Sequence, residues 1–264
     1  MTALSVNLNK VALVRNSRGG GRPDVLHAAR IAIAAGAAGI TVHPRPDMRH
    51  ALPSDATALR ALLRAEHPSI ELNIEGNPFA EVRENGFPGF SALIERARPE
   101  QATLVPDDDD QLTSDHGWNL AGDQARLRDR IAAYRALGAR VSLFMDTDAR
   151  QIDRARALGA DRIELYTGPF AEIVRAHSVN SDAARTCLQR FAAAARHARS
   201  IGLGVNAGHD LDLVNLPLFA LIDGIDEVSI GHALVADALE LGLAATVERY
   251  VAILAAAAGG RTAR

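Results

Sequence analysis

Along the chain, short apolar and β-branched runs follow Ala-rich or Leu-rich helical stretches, each joined through a glycine. AAGAAGITVHP (34–44), ALGARVSLFMD (136–146), ALGADRIELYTG (157–168) and SIGLGVNAGHD (200–210) share this form. Glycine after a helix takes the left-handed conformation without a Cβ clash, so it marks the helix end. The runs after it read without period-2 alternation, which predicts strands buried on both faces, as in a parallel sheet. On this basis strands are expected at 4–8, 39–43, 70–75, 102–105, 140–144, 162–166, 203–206 and 226–230. Helices are expected near 24–35, 54–66, 79–98, 119–137, 148–158, 181–200, 211–221 and 232–257. No Gly/Ser/Pro linker interrupts the alternation, so residues 1–264 read as one domain. Eight βα units in this length predict a (β/α)8 TIM barrel with extra helices. A doubly wound sheet would call for a glycine fingerprint after the first strand, and SRGGGRP (17–23) is a poor match.

Composition narrows the picture. The 264 residues are 48% hydrophobic and 23% charged with a net charge of −3, which gives no reason to expect a nucleic-acid or membrane partner. MTALSVNLNK lacks the apolar run of a signal peptide, and glycines and alanines break up the longest apolar stretches. The single cysteine, Cys187, excludes an intrachain disulfide. A soluble cytoplasmic protein is the expectation. Lys10 is the only lysine; the other strong bases are all arginine.

In such barrels the loops at the C-terminal ends of the strands build the active site. The expected strand ends here are rich in chemistry. They supply Asn7, Asn9 and Lys10; His43, Arg45 and His50; Glu75; Thr113; Glu164; Asn206 and His209; and Gly231 with His232, with Arg15 and Arg18 in the loop after the first strand. NAGH and SIGH, after the last two strands, place glycines and helix starts where unpaired N–H groups favour an anion. A second anion site is expected around Arg18, Arg45 and His50, because guanidinium forks suit phosphate. Two such sites imply two phosphorylated substrates, or one phosphorylated at both ends. The run Asp107–Asp110 reads as a solvated loop, Gly19–Gly21 as a flexible lid or weak phosphate cradle, and Trp118 and Tyr166 as packing residues. Nothing has the HxH or HExxH spacing of a metal site.

VNLNKVALVRNSRG (6–19), GITVHPRPDMRH (39–50), LNIEG (72–76), LVP…LT (104–113), VSLFMD (141–146), IELYTG (163–168), VNAGH (205–209) and IGHAL (230–234) occur in this order. Together they resemble the pyridoxine 5′-phosphate synthase family, nearly end to end. The resemblance implies a barrel assembled as an octamer built from dimers. It implies condensation of 3-amino-2-oxopropyl phosphate with 1-deoxy-D-xylulose 5-phosphate to pyridoxine 5′-phosphate, phosphate and water, with no metal or organic cofactor. By the same resemblance, His43 and Glu75 are proton acceptors, His209 is a proton donor and Glu164 stabilises a charged intermediate. Asn7, Arg18, Gly231 and His232 bind the aminoketone phosphate; Arg45, His50 and Thr113 bind the pentulose phosphate. The chain departs from the common pattern at Asn9-Lys10, where Asp-His is usual and helps bind the pentulose, and at Asp210, a carboxylate beside a phosphate site where glycine is usual.

The residues suit such a reaction. Amine attack, loss of water, elimination of phosphate and ring closure all move protons, which calls for several acid–base groups around one pocket. Closure of the loop after the fourth strand would keep water from reactive imines. Rival readings are an aldolase forming a Schiff base on Lys10, a phosphosugar isomerase, and a non-catalytic barrel that binds phosphometabolites.

Overall fold

The computed structural model describes residues 1–109 and 111–262. Eight parallel strands close into a barrel: β1 (Ala3–Asn7), β2 (Gly39–Val42), β3 (Glu71–Gly76), β4 (Gln101–Leu104), β5 (Arg140–Met145), β6 (Arg162–Tyr166), β7 (Gly204–Gly208) and β8 (Glu227–Ile230). They stand in chain order, and β8 pairs with β1 to complete the ring. The architecture is the expected (β/α)8 barrel with extra helices.

The strands do alternate, contrary to the expectation. Leu72 and Ile74 on β3, Val141 and Leu143 on β5, Ile163 and Leu165 on β6, and Val228 and Ile230 on β8 are buried in the apolar core with the helices. The residues between them are polar and meet inside the barrel. Ser5 Oγ lies 2.7 Å from Thr41 Oγ1, and Thr103 donates to Asn73 Oδ1 at 3.0 Å. Gln101 on β4 donates to Glu227 on β8 at 3.3 Å, and Asn206 on β7 donates to Gln101 at 3.2 Å. Bonds between strands that are not neighbours run through the lumen. Both faces are therefore buried, as a parallel sheet requires, but the inner one is held largely by hydrogen bonds rather than by apolar packing. Arg140 with Glu71 and Arg162 with Asn206 extend this network at the strand starts. The carboxylates of the rim stand on the same inward register.

The helices are α1 (Asn9–Asn16), α2 (Val25–Ala34), α3 (Pro53–Glu66), α4 (Phe90–Ala97), α5 (Ala125–Ala136), α6 (Ala149–Ala157), α7 (Gly168–His177), α8 (Asp182–Ser200), α9 (Leu216–Phe219), α10 (His232–Leu241) and α11 (Leu243–Thr262). Several bounds differ from those expected. The predicted helix 79–98 shrinks to α4 because Gly86 and Gly89 take φ of 98° and 86° around Pro88. The predicted 232–257 splits where Gly242 takes φ 79°. The predicted 119–137 begins only at Ala125, and 211–221 keeps one turn, α9. Helices α1 and α7 occupy segments expected as loops. Arg15, expected at the rim, is on α1 and grips Asp55 of α3 through two bonds of 2.5 and 2.8 Å. Asp55 also caps α3 by accepting from Leu52 N–H at 2.7 Å, so one carboxylate fixes a helix start and a neighbouring helix.

Helix α11 contains an 18-residue stretch, Leu243–Gly260, that is apolar and long enough to cross a bilayer by length and composition, a stretch the sequence reading set aside. It buries Val247, Tyr250 and Leu254 in the core and packs against β1, α2, α9 and α10. It is thus part of the helical ring.

Candidate active site

The C-terminal rim encloses a cavity of about 450 Å³. Asn7, Asn9, Lys10, His43, Arg45, His50, Glu75, Thr113, Glu164, His209, Asp210, Gly231 and His232 line it. Of the rim residues the sequence singled out, Arg15, Arg18 and Asn206 do not: Arg15 is turned to Asp55, Arg18 is exposed in the loop between α1 and α2, and Asn206 bonds to Gln101 within the lumen. The Gly19–Gly21 run is in the same exposed loop, outside the cavity lining.

The site is built from strand ends held by short polar links. Asn7, at the end of β1, accepts from Asn9 N–H at 3.0 Å and donates to Glu75 Oε2 at 3.3 Å. Asn9 Oδ1 accepts from the backbone N–H of His43 at 2.8 Å, so the departure at position 9 anchors the end of β2. His43 Nδ1 lies 4.0 Å from Glu75 Oε2. A Cβ on Gly231 would meet Asn7 at 3.0 Å, so glycine is what lets the start of α10 approach β1.

Charge in the cavity is set mainly by burial. Burial, with Asp107 and Glu227 nearby, pushes the Glu75 carboxyl up to about 8. Burial and the neighbouring Glu75 push Glu164 well above the usual carboxylate range. Glu75 therefore holds its proton at neutral pH in the free site, and burial favours the neutral form of Glu164 as well. The imidazoles move the other way. Burial and then Arg45 depress His43 well below its usual range, and the same two causes bring His50 down to about 3. Burial, Arg49 and Arg45 lower the Lys10 amine. The rim thus pairs protonated acids with neutral bases, the state from which protons can be exchanged with a substrate.

Glu164 depends on a single glycine. A Cβ on Gly208 would lie 2.2 Å from Glu164 Oε1 and 3.2 Å from the Ser229 carbonyl. Gly208→Ala is expected to lose about 1–3 kcal/mol of stability by overpacking and most turnover by displacing the carboxyl. Thermal denaturation and steady-state rates measure the two effects.

The sequence reading missed other parts of the site. Asp107, expected in a solvated loop, is buried and paired with Arg45; Ser114 donates to it at 2.7 Å. Asp109 pairs with Arg83, and Asp110 lies outside the described residues. Among the described residues no group of three or more His, Cys, Asp or Glu is placed to hold a metal ion. Arg45 and Arg49 also donate to the Gln111 carbonyl at 2.7 and 2.8 Å, so the loop after β4 is stitched to the loop after β2. Ser229 and Phe144 line the cavity from the inward positions of β8 and β5, which a period-2 reading would have found. Tyr166 packs on Phe144, as expected, and also sets its ring against His209 at 5.3 Å and 76°. Trp118 donates to the Leu104 carbonyl at 2.8 Å, a structural role.

Comparison with known proteins bears on this cavity. Residues 4–256 match the family described as pyridoxal phosphate biosynthesis protein PdxJ. The chain is 58% identical over 254 residues to a pyridoxine 5′-phosphate synthase of Xanthomonas oryzae pv. oryzae, covering 96% of both chains. It is 53% identical to the synthase of Xylella fastidiosa, covering 96% of this chain and 95% of the other. Among solved structures, 3-hexulose-6-phosphate synthase from Salmonella typhimurium superposes with a TM-score of 0.63 at 14% identity, covering 97% of this chain and all (100%) of that one, a likeness of fold alone.

Proposed function

Since the chain belongs to the PdxJ family of pyridoxal phosphate biosynthesis proteins, whose curated relatives are pyridoxine 5′-phosphate synthases, its activity is the making of pyridoxine 5′-phosphate, and we propose that the cavity at the barrel rim does so by acid–base chemistry alone. The substrates are small and phosphorylated: 3-amino-2-oxopropyl phosphate and 1-deoxy-D-xylulose 5-phosphate. The observation that carries this reading is the convergence of His43, Glu75, Glu164 and His209 on one cavity that also holds Lys10, Arg45 and the start of α10.

The roles follow from the charge states. His43 is neutral and buried, so its free lone pair takes the first proton. Glu75 holds a proton in the free site and becomes a base once a substrate cation enters, because a nearby positive charge favours the carboxylate. Glu164 has an oxygen, Oε2, without a hydrogen-bond partner among the described residues. A cationic intermediate beside it would draw off its proton and be stabilised by the resulting charge. His209 returns protons to leaving oxygens. Backbone N–H groups at Gly231 and His232 receive one phosphate, and Arg45, His50 and Lys10 the other. Arg18 would join the first only if its exposed loop folded inward. We place the enzyme in the cytoplasm and as an oligomer, with the exposed, Ala-rich side of α11 as a contact between copies; sedimentation of the purified protein tests the second point.

Incubating the protein with both phosphates is expected to give pyridoxine 5′-phosphate, read by its absorbance. Phosphate binding without product would favour a non-catalytic barrel. A borohydride-stable adduct on Lys10 formed with the pentulose phosphate alone would favour an aldolase.

A further inference from the structure

The residue after His209 stands where the family resemblance puts glycine, and a carboxylate there is a poor neighbour for a phosphate. The backbone gives the same signal: His209 and Asp210 take φ of 85° and 60°, in the left-handed region that glycine occupies with least strain. The structure shows where the Asp210 side chain goes. Its Oδ2 lies 3.2 Å from His209 Nδ1. That nitrogen is buried and has no in-line hydrogen-bond partner among the described residues, so this carboxylate is its polar neighbour. The other ring nitrogen, Nε2, is 2.7 Å from Thr113 Oγ1 and faces the cavity. Asp210 is ionised: its contact with His209, and then Arg175 and His232, hold it below the usual carboxylate range. Its own carbonyl accepts from Asn215 Nδ2 at 3.0 Å, which fixes the turn.

We propose that Asp210 is a positioning residue for His209, not a substrate ligand: its carboxylate keeps the proton of the neutral ring on Nδ1 and aims Nε2 at the reacting groups. In the resting state Nε2 then accepts from the Thr113 hydroxyl. When His209 takes up a proton in turnover, the second N–H faces the substrate and the new positive charge sits beside Asp210. This inference rests on the reading of His209 as the proton donor.

The backbone provides the control. Asp210→Gly relaxes a left-handed position, so it is expected to fold at least as well as the parent. We expect kcat to fall roughly 10–100-fold, the size of effect seen when a histidine loses its orienting partner, with KM for both substrates within about twofold. Asp210→Asn keeps an oxygen beside Nδ1 without the charge, and is expected to retain more of the rate than Asp210→Gly. In ¹⁵N spectra of the resting enzyme, His209 should show the Nδ1–H tautomer in the parent and a mixture in Asp210→Gly. An unchanged tautomer, or a change in KM larger than that in kcat, would overturn the proposal. The spectra do not depend on His209 being catalytic. Full activity in His209→Gln with a changed tautomer in Asp210→Gly would remove the catalytic reading of His209 and leave the positioning standing.

Discussion

Glu75→Gln is expected to lower turnover by roughly 10²–10⁴-fold, the contribution of one well-placed acid–base group, and to fold normally. His43→Ala should lose a similar factor, and the double variant less than the product of the two, because the two side chains lie 4.0 Å apart and act as a unit on the same substrate. The pH dependence gives a second readout. Free-enzyme kcat/KM should climb as pH rises toward about 8, where Glu75 ionises, and that limb should vanish in Glu75→Gln. Stability should move the opposite way. A carboxyl whose pKa is higher in the folded chain than in the unfolded one stabilises the fold fully below the unfolded value, and that contribution fades as pH rises through the folded value. The parent should therefore lose stability from about pH 4.5 to pH 8 more steeply than Glu75→Gln. Denaturant titrations at several pH values measure this. Wild-type rates in Glu75→Gln with both purified substrates would end the assignment.

Arg45→Met is expected to cost about 3–5 kcal/mol, the loss typical when one member of a buried ion pair is removed. Arg45 is 5% exposed and Asp107 6%, so neither charge has water to turn to. Burial already lifts the Asp107 carboxyl despite the guanidinium beside it, and one of its oxygens, Oδ1, has no partner among the described residues. The pair is therefore a poor source of net stability, and Arg45→Met with Asp107→Leu should regain most of what the single variant loses. Activity should not return, because the double variant lacks the guanidinium that faces the cavity, although Arg49 still ties the loops after β2 and β4 together. Urea denaturation separates the two variants, and steady-state kinetics shows whether stability and function part as expected.

How much of this was legible in the sequence depends on the kind of signal. Strand existence was legible, because Gly-terminated helices followed by runs such as GITV and RIELY have a local cause. Strand ends were legible too, and with them most of the cavity lining, since polar residues after an apolar run must go to a rim. The inward register was not legible from reading the runs as lacking period-2 alternation: ELNIE and RIELY do alternate, and their polar members line a lumen that bonds to itself across the barrel. Asp107 was lost in a run of four identical residues whose members differ only in what they face, which no local pattern encodes. The helix expected over 79–98 was too long because Gly86 and Gly89, at positive φ around Pro88, hold its first part out of helical geometry. Arg18 was expected at the rim from its guanidinium and its place after the first strand as well as from the resemblance, but it is exposed between α1 and α2 and lines no part of the cavity. Asp210 was noticed as a misfit, but its partner is the adjacent histidine ring, which only the turn geometry reveals.

Lys10 supplies the chain's one side-chain amine, and the barrel puts that amine at the cavity mouth. Reagents that couple proteins to beads, dyes or biosensor chips through lysine thus have a single side-chain target here, the one facing the substrate. Molecules tethered through that amine would be inactive, so surface-binding assays on this protein call for attachment through an added tag; Cys187, buried in the core, offers no alternative.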